Sequence, residues 1–146
     1  MLTLSSVWTK PHTFVISTEG REMKESLRYL QNAKEILARI PIEDDDYTDI
    51  KPVREAFGTA YLAILEAINE ALLKKGLSRK DLPKSVDGYR NALQKYYGAY
   101  NGKLAKKFEH LYDTLHIAGY YRGLIYNANV IKEYFRVTKE FIDKFK

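Results

Sequence analysis

The chain has 146 residues, of which 45% are hydrophobic and 29% are charged. This balance is typical of one soluble globular domain and excludes a disordered chain. There is no cysteine, which excludes disulfides, thiolate metal sites, iron–sulfur clusters and cysteine nucleophiles. The formal net charge is +5, but no basic stripe dominates one segment, so we do not expect nucleic acid as a partner.

The sequence carries no recognisable targeting signal or membrane span. No apolar run reaches the ~20 residues of a membrane span. The first residues lack the basic start and the continuous apolar centre of a signal peptide. We therefore expect a cytoplasmic protein that does not enter a membrane.

Residues 1–20 differ from the rest of the chain. Trp8, Phe14 and Ile16 favour extended structure, and Pro11 lies between them. This pattern predicts an extended N-terminal arm, laid on the rest of the protein or on a neighbouring subunit. The alternative interpretation is a terminus without fixed structure. Residues 21–146 are predicted to form a single helical-bundle domain.

The first predicted helix runs from Arg21 to Ile40. Its apolar residues form one stripe, and it ends before Pro41, because a proline disfavours helical backbone in the residue that precedes it. Four acidic residues at positions 43–46 follow. They favour the N-terminus of the next helix electrostatically. They lack the spacing of an EF-hand, so we do not predict a calcium site.

The second helix is predicted to begin at Thr48 or Asp49 and to end at Lys75-Gly76. Its stretch from Phe57 to Lys75 is apolar nearly all round. Such a helix is usually buried on several sides, either in its own bundle or against a second subunit. Gly58, inside this stretch, predicts the close approach of another helix.

Three more helices are predicted after the central one. They cover Ser85 to Tyr97, a stretch capped by Asn101, and a last stretch that opens at Asn127 or Asn129. Short turns between helices favour antiparallel neighbours. The predicted fold is therefore all-α, an antiparallel up-and-down bundle of four to five helices with an extended N-terminal arm and no strands in its body.

The most unusual segment is Glu109–Leu124, which holds two histidines, three tyrosines, two glycines and one arginine. In an unbroken helix Arg122 points the same way as Leu111 and Leu115, into the core. Either the helix breaks near Gly119, or Arg122 is buried and paired with a carboxylate.

Glu66 and Glu70 of the central helix are the candidate partners of Arg122. Two interpretations stay open: an ion pair that fixes helix register, or a polar pocket that binds an anion or a nucleotide. The candidate ligand-binding residues are Glu66, Asn69, Glu70, His116, Tyr120 and Arg122.

The sequence gives little support for a metal site or for enzymatic catalysis. Asp113-x-x-His116 resembles half of a carboxylate-bridged di-metal motif, but no second half occurs. Phosphate-binding loops, nucleophile elbows and zinc-protease motifs are absent. We therefore assign no catalytic residue, no metal and no cofactor, and we favour a protein that is not an enzyme.

Three stretches carry a resemblance to a known family. They are AYLAILEAINEALLKKGL, LPKSVDGYRNAL and NGKLAKKFEHLYDTLHIAGYYRGL. They resemble an uncharacterised family of small bacterial all-helical proteins, a domain of unknown function. More distantly, the layout resembles the HEPN superfamily of helical bundles, which includes metal-independent ribonucleases.

The ribonucleases of that superfamily use an arginine followed four to six residues later by a histidine. This sequence has no arginine at that distance before any histidine. The superfamily resemblance therefore implies a dimeric bundle without catalytic activity.

We thus predict a non-enzymatic bundle that acts as a homodimer or with a partner protein. The alternative is a domain that binds a nucleotide, an anion or RNA through the Glu66, Glu70, His116 and Arg122 cluster.

Overall fold

The structure is a computed structural model that describes residues 24–98 and 102–145. The predicted N-terminal arm lies outside these ranges. Within them the chain forms five helices, which confirms the predicted all-α class. The helices are α1 (Glu25–Ala38), α2 (Ile50–Lys74), α3 (Val86–Tyr97), α4 (Gly102–Leu111) and α5 (Ala128–Asp143). Helix α4 continues directly into a π-helical segment, Tyr112–Tyr121.

The predicted helix starts at Asp49, Ser85 and Asn127 are confirmed. The side chain of each accepts a hydrogen bond from a backbone N–H in the first turn of its helix. Such caps satisfy N–H groups that have no partner inside the helix. At the other end of α2, Gly76 has a φ of 107°. That backbone conformation ends the helix where a glycine was predicted to end it.

Helix α2 is the centre of the bundle and contacts α1, α5 and the π-helical segment. Its eleven buried residues include five alanines, at positions 56, 60, 63, 67 and 71. Small side chains at this spacing form a smooth stripe along the helix, which allows neighbouring helices to approach closely. Helix α1 makes the most extensive contact with α2 and buries Leu30, Ala33 and Leu37 of its own apolar stripe.

A small hairpin between α1 and α2 corrects the prediction that the body of the chain has no strands. Strands β1 (Ile42–Glu43) and β2 (Asp46–Tyr47) pair antiparallel. The turn residues Asp44 and Asp45 have φ values of 51° and 70°, a conformation that aspartate tolerates better than most residues. Two-residue strands are too short to show alternation, which is why the sequence pattern did not reveal them.

The hairpin holds the start of α5. The N–H of Tyr47 donates to the carbonyl of Tyr126, and the N–H of Ala128 donates to the carbonyl of Asp45. The acidic segment thus anchors the chain between the π-helical segment and α5, in addition to preceding α2.

One helix among the described residues, α2, is long and apolar enough to cross a membrane by length and composition. Its most apolar window is 56% buried within the bundle. The core helix of a soluble protein has the same properties, and the burial of α2 fits that class.

Candidate functional site

The π-helical segment Tyr112–Tyr121 positions most of the unusual side chains of the sequence. Its buried residues continue the inner face of α4 at a spacing of four: Leu111, Leu115 and Gly119. The segment ends where the N–H of Arg122 donates to the carbonyl of Ile117, and Gly123 follows with a φ of 61°. Helices of this wide type are rare and are frequently found at functional sites.

Arg122 is exposed, which corrects the expectation that it pairs with Glu66 or Glu70 in the core. A π-helical turn holds almost one residue more than an α-helical turn, so ten residues of it delay the rotation by about half a turn. Arg122 therefore points away from the face that carries Leu111 and Leu115. The alternative expectation, a helix that breaks near Gly119, is closer to the structure.

Two glycines allow the π-helical segment to lie against α2. A Cβ atom at Gly119 would lie 2.4 Å from Cγ of Phe57. A Cβ atom at Gly58 would lie 2.9 Å from Cδ1 of Tyr120. Real side chains do not approach this closely. Gly119 therefore requires glycine, because Phe57 is fully buried, whereas a larger residue at Gly58 would displace the partly exposed Tyr120 ring. The close approach predicted at Gly58 is confirmed.

Four aromatic rings pack together where the two helices meet. The rings of Tyr61 and His116 stack with their centroids 4.7 Å apart, and Tyr112 and Tyr120 lie 5.4 Å and 5.8 Å from His116. Burial lowers the pKa of the His116 imidazole, because the charged form is poorly solvated there. Burial also raises the pKa of Tyr61, to about 12. Both side chains are therefore neutral at pH 7.

A cavity of about 360 Å³ opens beside this aromatic cluster, between α2, α3 and the π-helical segment. We refer to it as the His116 cavity. The residues that line it include Tyr61, Leu65, Lys84, Tyr89, Tyr112 and His116. The first residues of α3 complete its wall, so a helix N-terminus lies at its edge.

Two of the predicted site residues support this cavity from behind. The hydroxyl of Tyr89 donates to Oδ1 of Asn69 at 3.0 Å, and Nδ2 of Asn69 donates to Glu66 at 3.3 Å. The amide thus fixes a wall of the cavity, and the carboxylate orients the amide. Glu66, Asn69 and His116 therefore belong to one region of the molecule.

Glu70 belongs to a different region. Its carboxylate accepts hydrogen bonds from Oγ of Ser26 at 2.9 Å and from the backbone N–H of Ser26 at 3.3 Å. Ser26 is fully buried in the first turn of α1. Glu70 thus caps α1, where the helix dipole favours a negative charge. The six candidate residues are consequently distributed over three places, and the binding of a ligand by them stays a prediction.

Arg90 fixes the outer wall of the cavity. Its guanidinium binds the Glu109 carboxylate through two nitrogens, at 2.7 Å and 3.0 Å. It also lies over the ring of Tyr112, 5.1 Å from the centroid. This arrangement joins α3, α4 and the start of the π-helical segment.

A second surface near the π-helical segment is apolar and open to solvent. Five large apolar side chains on this surface are between 44% and 69% exposed: Leu62, Tyr120, Tyr121, Leu124 and Tyr126. We call them the exposed aromatic face. The Tyr120 ring lies on Gly58, one helical turn before Leu62, and the other three members follow Tyr120 within six residues of the chain. Exposed apolar side chains that cluster mark interaction sites.

Arg54 holds the exposed aromatic face in place. Its Nε donates to the carbonyl of Tyr120 at 2.8 Å, and its Nη2 donates to the carbonyl of Tyr121 at 2.7 Å. These carbonyls end the π-helical segment and have no partner inside it. A cation at a helix C-terminus is also favoured by the dipole.

A larger groove of about 550 Å³ lies between α1 and α5, on another side of the bundle. Its floor is apolar and includes Leu37, Ile131 and Phe135, and lysines 34 and 132 lie at its rim. The sequence analysis did not predict it, because its lining comes from two helices far apart in the chain.

Sequence reasoning also missed Tyr61, Tyr89 and Arg54. The helical spacing of both tyrosines among apolar residues predicts core positions, and both side chains are buried. A signal was nevertheless present, since a buried tyrosine, unlike phenylalanine, carries a hydroxyl that needs a partner. For Arg54 the sequence held no signal, because its acceptors lie 66 and 67 residues away.

Within the described ranges, no group of three histidine or carboxylate side chains is placed to hold a metal ion. Asp113 is exposed, whereas the ring of the neighbouring His116 stacks on Tyr61.

Comparisons with known proteins agree with this architecture. A solved structure from Dyadobacter fermentans, described as a protein of unknown function, is similar to the chain with 32% identity and a TM-score of 0.66. The match covers 83% of this chain and 89% of that one. No match was found among the curated proteins. The family model described as domain of unknown function (DUF5618) matches residues 21–146, and the chain therefore belongs to that family.

Proposed function

We propose that the protein is a non-enzymatic helical bundle that acts by forming a homodimer through the exposed aromatic face. The observation that carries this proposal is the exposure of five large apolar side chains at and after the end of the π-helical segment and on the adjoining α2: Leu62, Tyr120, Tyr121, Leu124 and Tyr126. Tyrosine is enriched at protein interfaces, because its ring buries a large apolar area while its hydroxyl stays hydrogen-bonded.

Charge favours a second copy of the chain as the occupant of this face. Glu55 follows Arg54 on α2, and Arg122 follows Tyr121, so the two charges flank the same apolar surface. Both side chains are exposed, and neither forms an ion pair within the described residues. A twofold interface contacts the same patch on both subunits. We propose that the twofold axis lies so that Glu55 of each protomer faces Arg122 of the other.

The finer assignments belong to the same proposal. The HEPN resemblance is consistent with a bundle that dimerises without the ribonuclease motif. The similar protein from Dyadobacter fermentans supports a bacterial origin. The burial of α2 supports a soluble protein, for which we propose the cytoplasm. A partner protein on the same face is the alternative to a second copy.

Charge reversal tests the homodimer directly. Glu55→Lys and Arg122→Glu each place like charges across the twofold axis, and each is expected to weaken dimerisation at least about tenfold. The double variant Glu55→Lys/Arg122→Glu restores opposite charges and should recover most of the lost affinity. Sedimentation velocity over a range of concentrations measures all three. Lys106→Glu, at an exposed site on α4, is the control with the same change in net charge.

Three results would contradict the homodimer on this face. One is equal weakening by Lys106→Glu and Arg122→Glu, which would indicate only an effect of net charge. Another is a double variant weaker than either single variant. The third is a wild-type protein that is monomeric at all concentrations but binds a different protein through the face, which would establish the hetero-association instead.

A further inference from the structure

The lining of the His116 cavity has an aromatic part and a positively charged part. One wall is aromatic and formed by Tyr61, Tyr112 and the edge of His116. The opposite rim holds Lys84 and the N-terminus of the twelve-residue helix α3. Aromatic walls accept the plane of a conjugated ring, and a cation beside a helix N-terminus attracts an anion.

Polar atoms at the aromatic wall are uncommitted. Tyr61 is 8% exposed as a whole residue, and its hydroxyl stays accessible to solvent and forms no hydrogen bond to another residue that the structure describes. The imidazole nitrogens of His116 likewise make no hydrogen bond to another described side chain. These polar atoms at the surface of the cavity are therefore available to form hydrogen bonds with a ligand.

The charged part of the cavity lining is also available to a ligand. Nζ of Lys84 donates to the carbonyl of Lys80 at 3.2 Å, which leaves its charge without a carboxylate. Oγ of Ser85 accepts from the N–H of Gly88. The N–H groups of Val86 and Asp87, the first two of α3, have no acceptor inside the helix. One lysine and one helix end provide room for a single anionic group.

We infer that the His116 cavity binds a nucleoside monophosphate, with the edge of the base at the Tyr61 hydroxyl and the edge of His116, and the phosphate at Lys84 and the first turn of α3. The cavity volume of about 360 Å³ lies within the range of small-ligand sites. The Tyr61 hydroxyl and a neutral imidazole each offer a donor and an acceptor to the edge of a base. This site shares only His116, supported by Asn69 and Glu66, with the cluster predicted from sequence.

The test is a titration of the full-length protein with AMP, GMP, CMP and UMP, followed by two-dimensional ¹H–¹⁵N NMR. At least one mononucleotide should cause saturable shifts at Tyr61, Val86 and His116. The parent nucleoside and inorganic phosphate should each bind at least about tenfold more weakly, because each fills one half of the site. The readout does not depend on dimerisation, which sedimentation reports separately.

Matched variants test the two halves of the site. Lys84→Ala is expected to weaken mononucleotide binding at least about fivefold, whereas Lys80→Ala, four residues earlier and outside the cavity lining, should leave it unchanged. Tyr61→Phe keeps the ring but removes the hydroxyl, so it should weaken binding without lowering the melting temperature.

Four outcomes would overturn the inference. They are the absence of saturable shifts with every mononucleotide, shifts confined to the groove between α1 and α5, binding that survives Lys84→Ala, and binding of a short oligoribonucleotide without binding of any mononucleotide. The last outcome would identify an RNA surface instead.

Discussion

Gly119 is the residue on which the contact between the π-helical segment and α2 depends most. We predict that Gly119→Ala destabilises the protein by about 1–3 kcal/mol, because the new methyl group would overlap the buried ring of Phe57. Phe57 is fully buried and cannot move aside. Urea denaturation of the variant and of the wild type measures the difference.

Gly102→Ala is the matched control for this prediction. Gly102 lies at the start of α4, and a Cβ atom there would meet nothing within 4 Å. Alanine also has the higher helix propensity, so this variant should be as stable as the wild type or slightly more stable. Equal destabilisation by the two substitutions would show that packing against Phe57 is not the cause.

His116 makes the stability of the protein depend on pH. Its pKa is lowered by burial, whereas an unfolded histidine titrates near ~6.5. Between these two values the unfolded state binds more protons. The free energy of unfolding therefore falls as the pH drops through about 6.5 toward the folded pKa, by at most about 1.4 kcal/mol per pH unit. Above about 6.5 the contribution is fully present.

Urea denaturation at pH values of about 7.5 and about 5.5 measures this effect. His116→Gln should lose less stability between the two pH values than the wild type. His110→Gln, at an exposed position, is the control and should behave as the wild type does. An unchanged pH dependence in His116→Gln would show that the imidazole is not buried as described.

At the scale of the elements, the N-terminus of α1 depends on a carboxylate from α2. We predict that Glu70→Ala costs about 1–3 kcal/mol, because the fully buried Ser26 hydroxyl loses its acceptor. Ser26→Ala should cost less, since the half-buried Glu70 can still reach water. In the double variant both partners are gone, so the two costs should couple by about 1 kcal/mol.

Glu66→Ala is the control for this cycle. It removes another half-buried carboxylate one turn earlier on α2, which bonds Asn69 and not Ser26. Combined with Ser26→Ala, it should give costs that add within about 0.5 kcal/mol. Additive costs for the Glu70 and Ser26 pair would contradict the proposed cap.

An element can be predicted from the sequence when the residues that determine it lie close together in the chain. The starts of α2, α3 and α5 follow from Asp49, Ser85 and Asn127, because each cap bonds an N–H two or three residues later. The attachment of the hairpin to the start of α5 depends instead on bonds between segments about 80 residues apart, such as that from Tyr47 to Tyr126. No periodicity in the sequence reports such bonds.

The candidate site was predictable only in part, for a related reason. Placing Arg122 beside Glu66 assumed that α-helical rotation continues past Leu111. The π-helical segment changes that rotation by about half a turn and moves Arg122 to the surface. His116 lies nearer to the start of the segment, where the difference in rotation is smaller. It therefore still lies in the same region as Glu66 and Asn69, as predicted.

At the scale of the whole molecule, α2 connects the two proposed activities. One side of this helix contributes Tyr61 and Leu65 to the His116 cavity, and Leu62 contributes to the exposed aromatic face. The stacked rings of His116 and Tyr120 join the cavity to that face. Helix α2 is apolar nearly all round. Most of its apolar residues form the core, and Leu62 belongs to the surface through which we propose that a second subunit binds.

The association state of the wild-type protein tests the central claim most directly. Sedimentation equilibrium at protomer concentrations from about 1 to about 100 μM should give a mass that rises toward twice the 17.0 kDa of one chain. Tyr121→Ser, which removes the most exposed ring of the face, should shift that rise to higher concentration. A mass of one chain throughout this range, or a dimer unaffected by Tyr121→Ser, would contradict dimerisation through the exposed aromatic face.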